Sequence, residues 1–464
     1  MKIRNKVIKS GVWYTFSNIS IKGLDFLSIP IFTRLMSQSE YGSFNNFFSW
    51  LQIVLIVGTL HLSATLVSAR YDFEKTITRY ITTILLLGSF VAALELIATQ
   101  LFSTYAVGFF GLENKYIIIL FLYAFFRPAL DVFQIYERLC YNYKKSVIVS
   151  VFASFSSLVC SLALLHLIED KLYARIIGGY IPIILICAFF YFYYLRKEFV
   201  FDKVYAKYAL RIGLPYVPHS LAITVLATTD RVMITHFCGT ESTALYSLAY
   251  TCALAVTVLW GSVNFAFAPW LGEKLHLKDF QSIYNVSVKY VSIIAIPVIG
   301  LILVAPEMML LLGGEQYLTA MYVIPPVMFG CYIQFVYSMY VNVEQFMKKT
   351  TGMAIASILA ALLNIALNYY FLPRHGYIAA AYTTLIGYLF LLSFHYLLVK
   401  RMHLNIIYNT NKIFLIILFV FITSFIVIPF YNETLIRYSM ILMYLAMAVH
   451  MIRKYKFVLQ NIFK

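Results

Sequence analysis

The stretch YIIILFLYAFFRPALDVFQIYE, residues 116–137, indicates the fold class of this chain. It is mostly apolar and slightly longer than the about 20 residues that a helix needs to span the hydrocarbon core of a bilayer. Arg127 and Asp131 lie inside it, although a charge near the bilayer centre costs about 2.5–3.5 kcal/mol. Charges stranded in this way pair with each other or line a water-filled path. The stretch therefore predicts a transmembrane helix in a protein with a hydrophilic interior.

The composition of the whole chain points the same way. Of its 464 residues, 62% are hydrophobic and 12% are charged, whereas soluble proteins average about 45–50% and about 25%. The net charge of +16 comes from short basic clusters between apolar runs. That distribution is typical of membrane topology signals and argues against a nucleic-acid partner.

Fourteen apolar runs are long enough to cross a membrane. They are continuous, whereas the strands of a membrane barrel would be about ten alternating residues long. The sequence therefore predicts an all-α polytopic membrane protein. The predicted spans are 12–34, 42–68, 78–102, 116–137, 147–168, 174–195, 211–236, 244–270, 287–312, 318–343, 352–371, 376–398, 413–430 and 435–452.

The basic residues between these runs predict the orientation. With a cytoplasmic N-terminus, 27 of the 36 Lys and Arg residues fall on the cytoplasmic side and six on the other. The six are Arg34, Lys115, Lys171, Arg175, Arg374 and Arg437. A missed span would invert the alternation further along the chain, and no inversion occurs. Both termini are therefore predicted to be cytoplasmic.

A weak internal repeat suggests how the spans are organised. At an offset of 204 residues, Lys144 and Lys145 align with Lys348 and Lys349, each pair just ahead of an apolar run. Two six-helix halves of like topology, residues 1–200 and 201–402, would then form a parallel repeat. Residues 403–464 add a two-helix hairpin with a cytoplasmic tail. In transporters with such repeats, the substrate binds between the halves.

Two oppositely charged pairs lie near the predicted midplane. Lys22 and Asp25 are one turn apart in the first run, and Arg127 and Asp131 are one turn apart in the fourth. Each pair can neutralise itself, so one interpretation is two structural ion pairs. The other is that both pairs line a polar cavity, with Lys22 and Arg127 available to a substrate.

Further charges are closer to the ends of the runs. Asp230 and Arg231 lie toward the outer end of the seventh run, and Arg34 at the outer end of the first. Interfacial anchoring and substrate binding are both open for these three residues.

Glu95 and His219 are isolated titratable residues within apolar runs. Glu95 is a candidate proton or cation site, or a protonated carboxyl bonded to a backbone carbonyl. His219 follows Pro215 and Pro218, where a broken helix exposes backbone groups, and is a candidate site residue. The sequence contains no phosphate-binding loop, catalytic signature or metal-binding spacing. We therefore expect no cofactor, no metal and no catalytic residue, and a transport step driven by an ion or substrate gradient.

Three stretches resemble a known family. They are TRLMSQSEYGSFNN (33–46), RIGLPYVPHSLAITVLATTDRVMITHFCGTESTALYSLAY (211–250) and KKTTGMAIASILAALLNIALNYYFLPRHGYIAAAYTTLIGY (348–388). Together they are similar to the polysaccharide-export flippases, the O-antigen and related repeat-unit translocases. These belong to the multidrug/oligosaccharidyl-lipid/polysaccharide exporter superfamily. The resemblance extends over nearly the whole chain.

The resemblance implies a substrate, an oligosaccharide linked through diphosphate to undecaprenol. It would be turned across the bacterial cytoplasmic (inner) membrane for O-antigen, lipopolysaccharide or capsule assembly. Implied partners are membrane lipid, which holds the polyprenyl tail near the last two helices, a polysaccharide polymerase and a chain-length regulator. The expected substrate-binding residues are Lys22, Arg127, Arg34, Arg231 and His219. The expected ion-coupling or charge-pairing residues are Asp25, Asp131, Asp230 and Glu95.

Two other functions compete with this one. A multidrug/cation antiporter of the same superfamily typically has twelve helices and more intramembrane acids than bases. A membrane-embedded polysaccharide polymerase usually carries a long outer loop with catalytic residues, and no inter-helix stretch here is that long.

Overall fold

The computed structural model describes the backbone of residues 2–140, 142–404 and 407–462. Side chains are described for residues 13, 20–140, 142–218, 220–264, 267–349, 351–404 and 407–450. Within these residues the regular structure is helical throughout, with seventeen α-helices and four short 3₁₀ helices. Each predicted run falls on one helix or on consecutive helices, and the all-α prediction is confirmed.

Most of these helices can cross a membrane. Eleven of the described helices are long and apolar enough, or twelve if one bent pair forms a single span. The first and last predicted runs extend into residues whose side chains are not described. The number fourteen and the cytoplasmic termini therefore stay predictions.

The helices pack into two compact units, Met1–Ala244 and Leu245–Lys464. The division into residues 1–200, 201–402 and 403–464 stays a prediction, since packing does not report on an internal repeat. The helices of the first unit are α1 (Lys2–Leu35), α2 (Gln38–Gly58), α3 (Leu66–Asp72), α4 (Ile77–Leu101), α5 (Ser103–Phe110), α6 (Asn114–Leu139), α7 (Tyr143–Leu167), α8 (Lys171–Lys197) and α9 (Lys203–Cys238).

The second unit begins within α10, and α13 is its most buried helix. Helix α13 packs against α11, α15 and α16 and more lightly against α14. The helices are α10 (Thr240–His276), α11 (Phe280–Leu303), α12 (Ala305–Gly313), α13 (Ile324–Phe346), α14 (Thr350–His375), α15 (Ile378–Arg401), α16 (Thr410–Ile426) and α17 (Thr434–Ile462).

The second predicted span is broken. Helix α2 and the segment Leu62–Asp72 meet at an angle of 52°. Leu60 and His61 at the junction have φ values of 49° and 52°, a left-handed conformation that L-residues with a side chain seldom adopt. Backbone groups at such a break leave the helical hydrogen-bond pattern and need other partners. The sequence predicted one continuous span here, and this detail was wrong.

Helices α7 and α8 approach each other closely. A Cβ built on Gly178 would lie 2.4 Å from the Cα of Ser161, closer than two non-bonded carbon atoms can come. Beside it, Ser157 Oγ donates to the carbonyl of Gly179 at 2.8 Å. Small residues permit this backbone approach and interhelical hydrogen bonding in membrane bundles. The contact fixes the N-terminal part of α8, which carries Arg175.

Candidate functional site

The charged pair on α6 is the centre of the candidate site. Arg127 Nε donates to Oδ1 of Asp131 at 2.9 Å, and its Nη1 donates to the hydroxyl of Tyr123 at 2.9 Å. The three residues lie at successive i, i+4 positions and so form one stripe along the helix. The side chains of Arg127 and Asp131 stay 26% and 34% exposed. The pair is therefore accessible to a ligand and is not sealed in the core.

Aromatic rings connect this stripe on α6 with two neighbouring helices of the first unit. Tyr123 and Tyr180 meet edge to face at 5.3 Å, and Tyr180 meets Phe47 at 5.1 Å. Such arrangements direct the positive ring edge at the negative ring face. They connect α6 with α8 and α2, and they place Tyr180 within electrostatic range of Arg175.

Arg175 is a cation that the sequence analysis placed at the outer surface as a topology residue. Its guanidinium lies over the rings of Phe32 and Phe44, 3.9 and 4.5 Å from their centroids. Nη1 donates to Ser161 Oγ at 2.8 Å, and Nε is buried with no hydrogen-bond partner in the described part of the chain. Arg175 therefore packs inside the first unit. It follows the predicted start of its run by one residue, so the sequence could not separate a loop position from a buried one.

The charges on α1 do not pair as expected. Lys22 and Asp25 are both exposed, and no ion pair joins them in the described part of the chain. Asp25 interacts electrostatically with Arg175 instead. Arg34 is exposed, and its Nη1 donates to the carbonyl of Pro30 at 2.9 Å. Of the two interpretations of this pair, the structural ion pair is not seen among the described residues, and the roles of Lys22 and Asp25 in substrate binding and ion coupling stay predictions.

The adjacent residues Asp230 and Arg231 on α9 differ in environment. Asp230 is 1% exposed. Arg231 is partly buried, and its Nη1 donates to the carbonyl of Ala227 at 3.1 Å. Consecutive helical residues project in different directions, so the two need not act together. The side chain of His219 lies outside the described residues, and its role stays a prediction.

Glu95 lies beside the broken second span. Its Oε2 is buried and has no hydrogen-bond partner among the described residues, and a Cβ built on Gly58 would lie 2.7 Å from it. On the other side of the break, His61 interacts electrostatically with Asp131. Glu95 lies on α4 and the charged pair Arg127–Asp131 on α6. Within the described residues, no hydrogen bond or ion pair joins Glu95 or Lys22 to that pair.

Other carboxylates bind lysine at the helix ends. Burial tends to raise the pKa of Asp170, but hydrogen bonds from the Tyr173 backbone N–H and from Lys115 outweigh it and lower that pKa. Hydrogen bonds from Lys274 and Ser282 lower the pKa of Asp279 to about 2. Both carboxylates are thus ionised at neutral pH. They serve as structural contacts rather than as proton carriers.

Two of the solved structures that resemble this chain define its class. "Lipid II flippase MurJ, inward closed conformation" aligns with a TM-score of 0.68 and 16% identity, over 97% of this chain and 100% of that one. "Inward-facing conformation of a multidrug resistance MATE family transporter of the MOP superfamily" aligns with a TM-score of 0.67 and 14% identity, over 85% and 98%. The chain is thus a multi-pass membrane protein with a flippase and transporter fold.

The chain belongs to the family described as "Polysaccharide biosynthesis protein", which matches residues 7–275, more than half of its length. Two relatives come from Haemophilus influenzae. "Lsg locus putative protein 1" is 23% identical over 385 residues, 78% of this chain and 90% of the relative. "Uncharacterized membrane protein" is 23% identical over 422 residues, 86% of this chain and 98% of the relative. The family resemblance predicted from the sequence motifs is confirmed.

Proposed function

We propose that this protein is a flippase for an oligosaccharide linked through diphosphate to undecaprenol. It moves the substrate from the inner to the outer leaflet of the bacterial cytoplasmic membrane for surface polysaccharide assembly, as O-antigen or capsule. The family supports the link to polysaccharide biosynthesis, and the fold supports transport. The observation that carries the proposal is the accessible guanidinium of Arg127 inside an apolar helix.

Arg127 has donors left for a diphosphate. A guanidinium carries five N–H groups, and the contacts to Asp131 and Tyr123 use one each. The remaining donors can bind phosphate oxygens in the bidentate geometry that arginine favours. Asp131 holds the guanidinium in place and neutralises it while no substrate is bound. The pair is therefore suited to bind and release an anion at membrane depth.

Other charged residues supply the rest of the proposed site. Lys22 is exposed and has no ion-pair partner among the described residues, so it is the second cation proposed for the diphosphate. We propose Arg34, Arg231 and His219 as further substrate contacts along the exit path.

The polyprenyl tail requires an apolar surface, and the second unit has one. A cavity of about 250 Å³ lies between α11, α16 and α17. Its lining includes Ile299, Phe419, Met447 and Ala448, with the hydroxyl-bearing Tyr444 among them. Helices α16 and α17 are the two that follow the twelve-helix repeat predicted from the sequence. We propose that they hold the first part of the tail while the rest stays in lipid.

Transport by alternating access opens the site to one side of the membrane at a time. The sequence carries no ATP-binding loop, so we propose that an ion gradient resets the protein. One charge moving down a potential of 100 mV supplies about 2.3 kcal/mol, a roughly fifty-fold bias. Candidate ion-coupling residues in the first unit are Asp25, Asp131, Asp230 and Glu95. The proposed partners that receive the product are a polysaccharide polymerase and a chain-length regulator.

A second candidate function is cation or drug export. The fold likeness to a MATE transporter favours it, as does Oε2 of Glu95, which is buried with no hydrogen-bond partner among the described residues and can accept a proton or a cation. The two functions predict different phenotypes for a strain that lacks the protein.

Deletion of the gene in its host tests the proposed function against this alternative. We expect loss of surface polysaccharide and accumulation of undecaprenyl-linked oligosaccharide, measured by immunoblotting of polysaccharide and by mass spectrometry of extracted lipids. Re-expression of the wild-type protein is the control and should restore both. A strain with normal polysaccharide and a new sensitivity to cationic drugs would instead establish the antiporter.

A further inference from the structure

Helices α13 and α15 hold a buried carboxylate–imidazole pair, far along the chain from the Arg127–Asp131 pair. The side chains of Glu344 and His395 are 0% and 3% exposed, and Nδ1 of His395 lies 2.8 Å from Oε1 of Glu344. The other carboxylate oxygen, Oε2 of Glu344, is buried and has no hydrogen-bond partner among the described residues. Buried polar atoms are nearly always paired, so an unpaired carboxylate oxygen indicates a further binding partner.

An aromatic ring covers the imidazole of the pair. The ring of Tyr337 stacks on the imidazole with centroids 5.6 Å apart. Further titratable groups of these two helices are Cys331 and Tyr388, both near Tyr337, and the contacting pair Tyr340 and Tyr396. Helices α11, α14 and α16 also pack against these two helices, yet none of their charged side chains forms an ion pair with Glu344 or His395 in the described part of the chain. The basic residues of these helices and of the turn after α13 that are predicted to be cytoplasmic are Lys289, Lys348, Lys349, Lys400, Arg401 and Lys412.

We propose that Glu344 and His395 form a proton-binding site. Without the added proton, Nδ1–H donates to Oε1 and the pair carries the single negative charge of the carboxylate. With it, held on Oε2 of Glu344, the pair is neutral overall. The proton comes from water and returns to water, and no other bond forms or breaks.

Because the pair is buried, binding and release of the proton favour different conformations of the protein. An uncompensated buried charge is strongly disfavoured, so the deprotonated pair favours a state in which water reaches the carboxylate. The neutral pair fits the closed packing seen here. Glu344 lies two residues before the end of α13, just ahead of Lys348 and Lys349, at the end predicted to be cytoplasmic. Proton release there would accompany opening of this end of the second unit.

This inference rests on the proposed function in one respect. The transport that the proton is proposed to drive is the transport of the lipid-linked oligosaccharide. Proton binding itself is independent of the transported molecule. The two ideas can therefore fail separately, and each needs its own measurement.

Infrared difference spectroscopy of the full-length protein in lipid nanodiscs tests proton binding. Raising the pH should remove a protonated-carboxyl band in the wild type. Glu344→Gln should remove the part of that difference band that belongs to Glu344, and His395→Gln should shift the midpoint of that part. The matched control is Glu307→Gln, since Glu307 pairs with Arg437, which stays charged. It should keep the band, and an unchanged Glu344→Gln spectrum overturns the proposal.

Transport in proteoliposomes provides the second readout. Acceleration of oligosaccharide translocation by an imposed pH gradient should be lost in Glu344→Gln and kept in part by Glu344→Asp, which retains a carboxyl. Both Glu344→Gln and His395→Gln could instead lower the thermal stability and leave the response to the pH gradient unchanged. That result would show that the pair is a structural contact and not a proton site. A titrating band without any translocation by the wild type would contradict the flippase and leave the proton site standing.

Discussion

Arg127 is the residue on which the proposed substrate binding depends most. Arg127→Ala removes the guanidinium from α6, and charge-assisted hydrogen bonds contribute about 1.5–3 kcal/mol each. We therefore expect surface-polysaccharide export to fall at least about tenfold, equivalent to about 1.4 kcal/mol. Arg127→Lys keeps the charge but loses the fork geometry and should retain part of the export. Immunoblotting of polysaccharide at matched protein level measures both.

Arg127→Ala also leaves Asp131 without its cation, which could unfold the protein by itself. The double variant Arg127→Ala/Asp131→Asn removes that uncompensated charge and serves as the control. It should recover thermal stability but not export. Recovery of export in the double variant would mean that Arg127 serves only to neutralise Asp131.

Lys22 offers a cleaner test of the second cation. It is exposed and lacks an ion-pair partner among the described residues, so Lys22→Ala should change the free energy of unfolding by no more than about 0.5 kcal/mol. Export should nonetheless fall, because the diphosphate loses a cation. Thermal unfolding and export, measured on the same preparations, separate the two effects. Full export by Lys22→Ala would remove Lys22 from the site.

At the scale of elements, the α7–α8 contact is the most sensitive to added volume. Gly178→Ala would place its Cβ against the backbone of Ser161, which cannot move aside as a flexible side chain would. Overpacking typically costs about 1–3 kcal/mol. We expect a lower unfolding temperature in detergent, together with reduced export, because the contact positions Arg175.

Gly108 provides the matched control for this substitution. It lies within the helix α5, and a Cβ built on it meets nothing within 4 Å. Gly108→Ala should be neutral or slightly stabilising, as expected from helix propensity. Equal stability of the two variants would show that α7 and α8 do not pack this closely.

The sequence predicted most elements because apolar length alone defines a membrane span. It missed the break after α2, since the left-handed residues there are Leu60 and His61 rather than glycine. The structure explains why two residues of the family motifs are needed. Gly42 contacts the Thr240 backbone, where a Cβ would lie 1.7 Å from its carbonyl oxygen. Asn364 donates to Thr384 Oγ1 at 3.0 Å and so joins α14 to α15.

The candidate site was less predictable than the elements. The Arg127–Asp131 pair followed from i, i+4 spacing, whereas Arg175 and its contact with Asp25 depend on how α1 and α8 pack. The Glu344–His395 pair joins residues 51 positions apart, and no local pattern brings them together. Spacing thus predicts contacts along one helix, and contacts between helices need the packed structure.

At the scale of the whole molecule, the orientation can be tested directly. The 27-to-6 distribution of basic residues predicts fourteen spans with both termini cytoplasmic. Reporter fusions after Lys349 and Lys456 should read cytoplasmic, and a fusion after Arg374 should read periplasmic. A periplasmic reading after Lys456 would require a different number of spans.

The central claim is that this protein moves a lipid-linked diphosphate oligosaccharide across a bilayer. The most direct measurement uses proteoliposomes that contain purified protein and a fluorescent undecaprenyl-diphosphate oligosaccharide, with a membrane-impermeant quencher added outside. Wild-type protein should render the inner-leaflet fluorophore accessible to the quencher, and Arg127→Ala/Asp131→Asn should slow this at least about tenfold. Accessibility limited to the outer leaflet, as in protein-free liposomes, would contradict the account.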